Sequence, residues 1–386
     1  MSRVLVASVI ATKARNGGNA CAVLNWVLGL RQLGVEVYYV EQIARESCTD
    51  EQGRVVPFEQ SRNAAYFDHV MRGAGLTRSS ALIYDGGPQT SGLSFREVLD
   101  VADSTDLLLN ITGHLTLEPL MRRLRKKAYI DLDPGYTQFW HASGSGGARL
   151  GGHDFHFTIG ENIGTPACTI PTGGIHWRHT RQPIVLAAAA DESPWNGRFT
   201  TIASWRGAYG PVGYGSATFG AKVHEFRKFI ELPQRSPGTF EVALDIHPGD
   251  DRDLQSLRRH GWQVVDPRDR VPDPDSFDQY VRASDAECSA AQGVYVATNS
   301  GWFSDRSVRY LAAGKPVLVQ DTGFARTLPV GEGLLAFRTL DEAVEGVQRI
   351  QRDPPRHQQA SRALAAAFFD SNKVLGRLLD DVGVAA

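Results

Sequence analysis

The chain has 386 residues, 42% of them hydrophobic and 22% charged, with a formal net charge of −2. That length exceeds one ordinary hydrophobic core and points to two domains. The charge balance gives no basic excess for wrapping nucleic acid, so no nucleic-acid partner is expected.

Four cysteines, Cys21, Cys48, Cys168 and Cys288, stand far apart and form no C-x-x-C pair. This argues against a disulfide framework or a structural zinc site and fits a reducing cytoplasm. No apolar run reaches the roughly 18 residues a membrane-spanning helix needs. No small-residue cleavage site follows the first apolar run. A cytoplasmic location and no integral membrane segment are the expectation.

The pattern begins with Val4–Ile10, apolar apart from Ser8, as in a strand buried on both faces. Asn16-Gly17-Gly18-Asn19 is a turn, and Ala22, Val23, Trp26, Val27 and Leu30 recur at helical spacing. Val35–Val40 makes the next strand. Helices are predicted near Ser61–Gly73, Phe95–Ala102 and Pro119–Lys127, with strands at Ala81–Tyr84, Leu107–Ile111 and Ala128–Ile130. Strand, helix, strand is the unit of a parallel, doubly wound α/β sheet.

Residues His141–Gly152 read as a loop, and Asp191–Gly197 as a polar turn cluster that places a domain boundary near 185–198. A second α/β run follows, with strands at Phe199–Ser204, Phe240–Ile246 and Gln263–Val265. Helices are predicted at Lys222–Ile230 and Ser276–Ala283. Then come a strand at Val294–Thr298, a helix at Ser304–Ala313 and a strand at Pro316–Gln320. Glu287 is a candidate carboxylate, but Ala286–Ala290 reads equally well as a helix with one polar residue. From Leu340 onward the chain is mainly helical and ends amphipathic. The expected architecture is two Rossmann-like domains facing a cleft. Residues 1–185 and 186–360 form the domains, and 361–386 form a helical segment suited to packing back on the first.

Ser304 is an N-cap type and Asp305 suits a first helical turn, so the Ser304–Arg306 start offers free N–H groups and a dipole to an anion. Arg306 adds a bidentate cation. The run Gly301–Val317, ending in Ala-Ala-Gly-Lys-Pro-Val, resembles the donor-binding signature of GT-B glycosyltransferases. The resemblance extends loosely over 199–350 and only by architecture over 1–150.

The resemblance implies a nucleoside diphosphate sugar as co-substrate, with no other cofactor and no metal. It implies diphosphate contacts from Arg206, at the end of the first C-domain strand, from Lys222, at the next helix start, and from Ser304, Asp305 and Arg306, with Ser300 a further donor-binding residue. The loop Asp321, Thr322, Gly323 would lie against the donor sugar. Arg309 stands where retaining members carry Glu, and Gly301 stands at their earlier acidic position, a departure from the pattern.

The resemblance also puts the acceptor, a small molecule or glycan, on the N-terminal half. His114 follows the strand Leu107–Ile111, and Asp131 and Asp133 follow the strand ending at Ile130. Each is a candidate base for an inverting transfer. Tyr136, Phe139 and Trp140 suit either stacking on an acceptor or core packing. Asn16, Gly17 and Gly18 would approach the donor across the cleft, glycine permitting close passage. Glu161 and Asn162 are candidate acceptor contacts. Asp131-Leu-Asp133 also resembles the D-x-D metal motif of GT-A enzymes, which the two-domain layout disfavours. His153-x-x-His156 and His176-x-x-His179 carry metal-like spacing outside any clear helix. The implied activity is hexosyl transfer. The rivals are a catalytically silent nucleotide-sugar binder and a sugar-nucleotide epimerase.

Overall fold

The computed structural model describes residues 2–186, 194–207 and 209–386. Within the predicted boundary, residues 187–193 lie outside the described residues, as does part of the polar cluster 191–197.

The first sheet has eight strands: β1 (Arg3–Ala7), β2 (Glu36–Ile43), β3 (Ser80–Tyr84), β4 (Thr90–Gly92), β5 (Leu107–Ile111), β6 (Lys127–Asp131), β7 (Phe155–Thr158) and β8 (Trp177–His179). Their order is β4-β3-β2-β1-β5-β6-β7-β8, parallel throughout except for the antiparallel β3–β4 edge. In β1, Val4 and Val6 face a core containing Trp26, Leu30 and Phe67, whereas Leu5 and Ala7 face Val98, Leu108 and Leu120. Burial on both faces is why the strand is continuously apolar.

The second half opens with β9 (Arg198–Ser204) and a hairpin of β10 (Val212–Tyr214) and β11 (Ala217–Phe219). It continues with β12 (Thr239–Asp245), β13 (Trp262–Val265), β14 (Ala286–Ser289), β15 (Val317–Gln320) and β16 (Leu334–Phe337). The all-parallel order β13-β12-β9-β14-β15-β16 changes direction at β9, with β14 on its other side. Ligands of such sheets bind beyond the carboxyl ends of the strands, at that reversal.

Two expected elements exchange character. Ala286–Ser289 is a central strand, and Gly293–Ala297 is a short helix rather than a strand. Both are short apolar runs, and periodicity cannot separate strand from helix at that length. The slot between β9 and β15 decides it: Glu287 pairs with Thr200 on one side and Val317 on the other. The predicted helix Pro119–Lys127 shrinks to Glu118–Met121. Arg122, Arg123, Arg125, Lys126 and Lys127 follow without an acid among them, and like charges on one turn repel. The helix Tyr136–Ala142 and the last two strands of the sheet, β7 and the edge strand β8, were not anticipated.

The helix Ser371–Asp381 lies on the helix Gly17–Gln32 of the first half. Leu375, Leu378 and Leu379 join the core around Trp26, and the Ser371 hydroxyl donates to Gln32. The Arg178 guanidinium donates to the Asp381 carbonyl (2.8 Å) and the Lys126 ammonium to the Val382 carbonyl (3.1 Å).

Candidate functional site

A cleft of about 580 Å³ lies between the two sheets. Its N-terminal bank is made by the loops after β1, β5 and β6. Its C-terminal bank is made by the ends of β9 and β12, the helix starts at Lys222 and Asp305, and the side chains of Tyr209, Tyr295 and Trp302.

On the C-terminal bank, Lys222 is only 7% exposed yet lines the cleft. Among the described residues its ammonium has no hydrogen bond or ion pair. Burial first, and then the neighbouring Arg306 charge, push its pKa down to about 7, against the pull of Glu287 and Asp305. A buried amine without a counter-ion is costly unless an anion arrives. Beside it begins the helix Asp305–Ala312, whose N-cap residue Ser304 makes no capping hydrogen bond. Its first N–H groups therefore remain without a side-chain acceptor at the cleft.

Arg306 lines the same cleft, but its guanidinium is largely engaged. Nε donates to Glu287 (2.5 Å), Nη1 to the Ile202 carbonyl (2.6 Å) and Nη2 to Ser289 (2.6 Å). It supplies positive field rather than the free bidentate fork expected of it. Arg206 is a clearer correction. Its guanidinium is 65% exposed, pairs with Asp250, and does not line the cleft, because a carboxylate from the loop after β12 captures it. Arg309, at the position of the missing Glu, pairs with Asp278 (2.6 Å), also away from the cleft.

The Asp321–Gly323 loop is likewise filled by the protein itself. Asp321 accepts from Arg338 (2.6 Å) and from the Gly323 N–H (2.8 Å), and Thr322 donates to the Trp302 carbonyl. A Cβ on Gly323 would strike the side chains of Asn299 and Asn162. The Asn162 amide donates to the carbonyls of Asn299 (2.9 Å) and Gly323 (3.1 Å), and its backbone N–H donates to Ser300 (3.1 Å). Ser300 is fully buried. These groups tie the halves together and do not face the cleft. Glu161 does the same, joining Arg181 (2.8 Å) and Thr327 (2.7 Å).

The N-terminal bank is sorted just as sharply. Asp131 is completely buried and accepts from Thr137 (2.7 Å), Gln138 (2.8 Å), Thr158 (2.7 Å) and the Asp133 N–H (3.1 Å). It braces the loop from behind and cannot reach an acceptor. Asp133 is in the cleft, where burial above all raises its pKa to about 6, against the nearby Lys13 charge. His114 also lines the cleft. Burial, then the charges of Lys13 and Arg149, lower its pKa to about 3, so the ring is neutral at physiological pH.

Asn16 caps the first helix by accepting from the Asn19 N–H (3.0 Å), and Asn16 and Gly18 line the cleft. Gly17 instead touches the opposite half: its N–H donates to the Val271 carbonyl (3.0 Å), and a Cβ there would overlap the Asp273 backbone. The expected close approach is thus made to the protein's own C-terminal half. Tyr136 and Phe139 pack into the interior, Phe139 stacking on Tyr214 and Phe219. His153 and His156 both contact the Leu150 carbonyl, and His179 contacts that of Ile163. Among the described residues no group of His, Cys, Asp and Glu is arranged to hold a metal ion.

Sequence reasoning passed over Lys13 and the group that aims it. Glu41, buried in β2, accepts from the N–H groups of Ile10 (2.6 Å), Ala11 (2.8 Å) and Thr12 (2.7 Å), fixing the loop that carries Lys13 into the cleft. An acid at a buried position of the strand, beside Val40, was the available signal. Tyr209, Tyr295 and Trp302 were also missed, because aromatic residues in irregular segments carry no positional signature.

Two Rossmann-like domains facing a cleft, each presenting the carboxyl ends of parallel strands, are the GT-B fold, the architecture of nucleotide-sugar glycosyltransferases. Solved structures share it along the whole chain. An α-glucosyltransferase in complex with UDP-glucose and DNA is 9% identical, over 99% of this chain and 98% of that one, with a TM-score of 0.62. HepE from Anabaena, in complex with UDP-glucose, is 12% identical over 99% and 100%, with a TM-score of 0.61. Sucrose-phosphate synthase from Thermosynechococcus elongatus is 13% identical over the full length of both chains, with a TM-score of 0.54. At these identities the likeness is one of fold. No family model and no curated protein sequence matches the chain. Among the described residues no helix is long and apolar enough to cross a membrane.

Proposed function

We propose that this protein is a glycosyltransferase that moves a hexosyl group from a nucleoside diphosphate sugar to a hydroxyl of a small-molecule or glycan acceptor. One observation carries the reading: Lys222 is a buried amine without a hydrogen-bond or ion-pair partner among the described residues, lining the cleft beside an uncapped helix start. Lys222 and the first N–H groups of the helix Asp305–Ala312 hold the diphosphate, with Arg306 behind them adding field. Residues 186–360 form the donor side and 1–185 the acceptor side; of the expected returning segment 361–386, Leu364 and Ala365 pack on the C-terminal core and only the part from Ser371 onward returns to the N-terminal half.

In the reaction, the bond between the anomeric carbon and the diphosphate oxygen breaks, and the acceptor oxygen bonds to that carbon. The electron pair leaves with the diphosphate, whose growing charge Lys222 stabilises in a site of low dielectric. Asp133 takes the acceptor proton, being ionised above about pH 6 and within the cleft. Fixed cations and amides carry the diphosphate charge, so turnover in the presence of chelator is part of the proposal.

UDP and UDP-glucose, bound by the structural neighbours, are the first ligands to test. Some of those neighbours also hold DNA. The net charge of −2 supports a small acceptor here rather than a polyanion. The experiment is a thermal-shift and calorimetric screen of nucleoside diphosphates and their sugars, followed by product analysis with labelled donor. A nucleotide that binds wild type and not Lys222→Gln, together with a new labelled glycoside, supports transfer. Epimerised nucleotide sugar, or binding without turnover over a broad acceptor panel including DNA, overturns it.

A further inference from the structure

Asp133 belongs to the N-terminal half, yet its side-chain partners come from the other. Its Oδ1 accepts from the Tyr295 hydroxyl (3.2 Å) and its Oδ2 from the Tyr209 hydroxyl (3.4 Å). Neither phenol makes another hydrogen bond among the described residues. Tyr295 is fully buried on the helix Gly293–Ala297 and stacks on Trp302 at 4.4 Å. Tyr209 lies against Tyr136 (5.2 Å) and Trp140 (4.9 Å) of the N-terminal half. The grip is reciprocal. The Tyr136 hydroxyl, from the N-terminal half, is shared between Gln292 (2.8 Å) and the Gly210 carbonyl (3.2 Å), which sit on the segments carrying Tyr295 and Tyr209.

Resting on the reading of the cleft as a transferase site, we infer that Tyr295 and Tyr209 are positioning residues for Asp133. The carboxylate that accepts the acceptor proton is oriented and desolvated by the donor-side half, and is complete only when the two halves meet. The remaining groups facing Asp133 are Lys13 from the loop after β1, Asp131 behind it, and the phenols of Tyr129 and Tyr136. Burial and Asp131 favour its neutral form, while Lys13 and the hydrogen bonds from Tyr295 and Tyr209 favour the carboxylate. Apart from the C-terminal half, Asp133 becomes a hydrated carboxyl of ordinary, weak basicity. Held by it, the group becomes a stronger base aimed into the cleft. Proton acceptance is thereby tied to the half that carries Lys222, which limits wasteful activation of an acceptor before the halves close.

The test uses the full chain with 13C-labelled aspartate carboxyl groups, the Asp133 resonance being assigned by its loss in Asp133→Asn. In Tyr295→Phe, which keeps the ring and removes the donor, the Asp133 titration midpoint moves to higher pH. Tyr209→Phe, on a ring nearer the surface, moves it the same way by less. Calorimetric affinity for UDP stays within about twofold in both variants. With UDP-glucose as donor, kcat falls, the acid limb of the pH profile moves up with the titration, and the donor KM is unchanged. An unmoved Asp133 midpoint in both variants, or UDP affinity lost in step with turnover, overturns the inference. Failure of wild type to bind UDP defeats the donor reading alone, and the carboxyl titration still decides this one.

Discussion

The two banks of the cleft are tuned by one cause in opposite directions. On the C-terminal bank burial drives an amine down to about 7, and on the N-terminal bank it drives a carboxyl up to about 6. Desolvation penalises whichever form is charged, so a dry cleft brings an acid and a base of very different ordinary strength toward neutrality together. The difference lies in the partners. Asp133 has two phenols and a nearby cation, whereas Lys222 makes no ion pair among the described residues and borders Arg306, with Glu287 and Asp305 only partly offsetting it. Asp133 is already partnered across the cleft, and Lys222 is left open to an anion from outside.

The largest way to break this comparison is Asp133→Asn, which is expected to lower transfer from UDP-glucose by about 10²–10⁴-fold while leaving UDP affinity intact. Equal loss in binding would move Asp133 to the donor bank. Lys222→Gln is expected to weaken UDP about 10- to 100-fold. In wild type, anion binding pulls the Lys222 pKa upward, so UDP takes up about one proton at pH 8, and affinity declines above pH 7 as the free amine deprotonates. Calorimetry in buffers of different ionisation heat reads both effects, and the variant should show neither.

Smaller effects fall on stability. Asn162→Ala leaves the Asn299 and Gly323 carbonyls without their bridging donor and should cost about 1–3 kcal/mol in urea unfolding. Asp133 titrates near 6 in the folded chain against an ordinary 3.8, so the native state binds more protons in that window. Stability therefore falls as pH rises through it. Asp133→Asn should recover roughly 1–2 kcal/mol at pH 7–8 and nothing at pH 4. Smallest of all, Arg206→Ala should leave UDP binding and the melting temperature unchanged, since its guanidinium is solvated and outside the cleft.

Much of the frame was legible. Leu107–Ile111 is a strand with the predicted bounds, and the helix Asp305–Ala312 and strand Val317–Gln320 follow the predicted order. Lys222 was found at its helix start and lines the cleft. Of the other expected donor-binding residues, Ser304, Asp305 and Arg306 line the cleft, while Arg206 and Ser300 do not. The losses share one pattern: a polar residue at a promising element end was claimed by another side chain of the protein. Asp250 holds Arg206, Arg338 holds Asp321, and Thr137, Gln138 and Thr158 hold Asp131.

Local sequence alone determined the alternation of strand and helix, because apolar periodicity and capping chemistry act within a few residues. It also placed charged side chains at the ends of those elements. Tertiary structure decided which charges stay open to the cleft and which are neutralised. That choice depends on burial and on partners from far along the chain, which set the cost of leaving a charge unpaired. The same long-range packing made Ala286–Ser289 a strand and set two C-terminal tyrosines on an N-terminal aspartate.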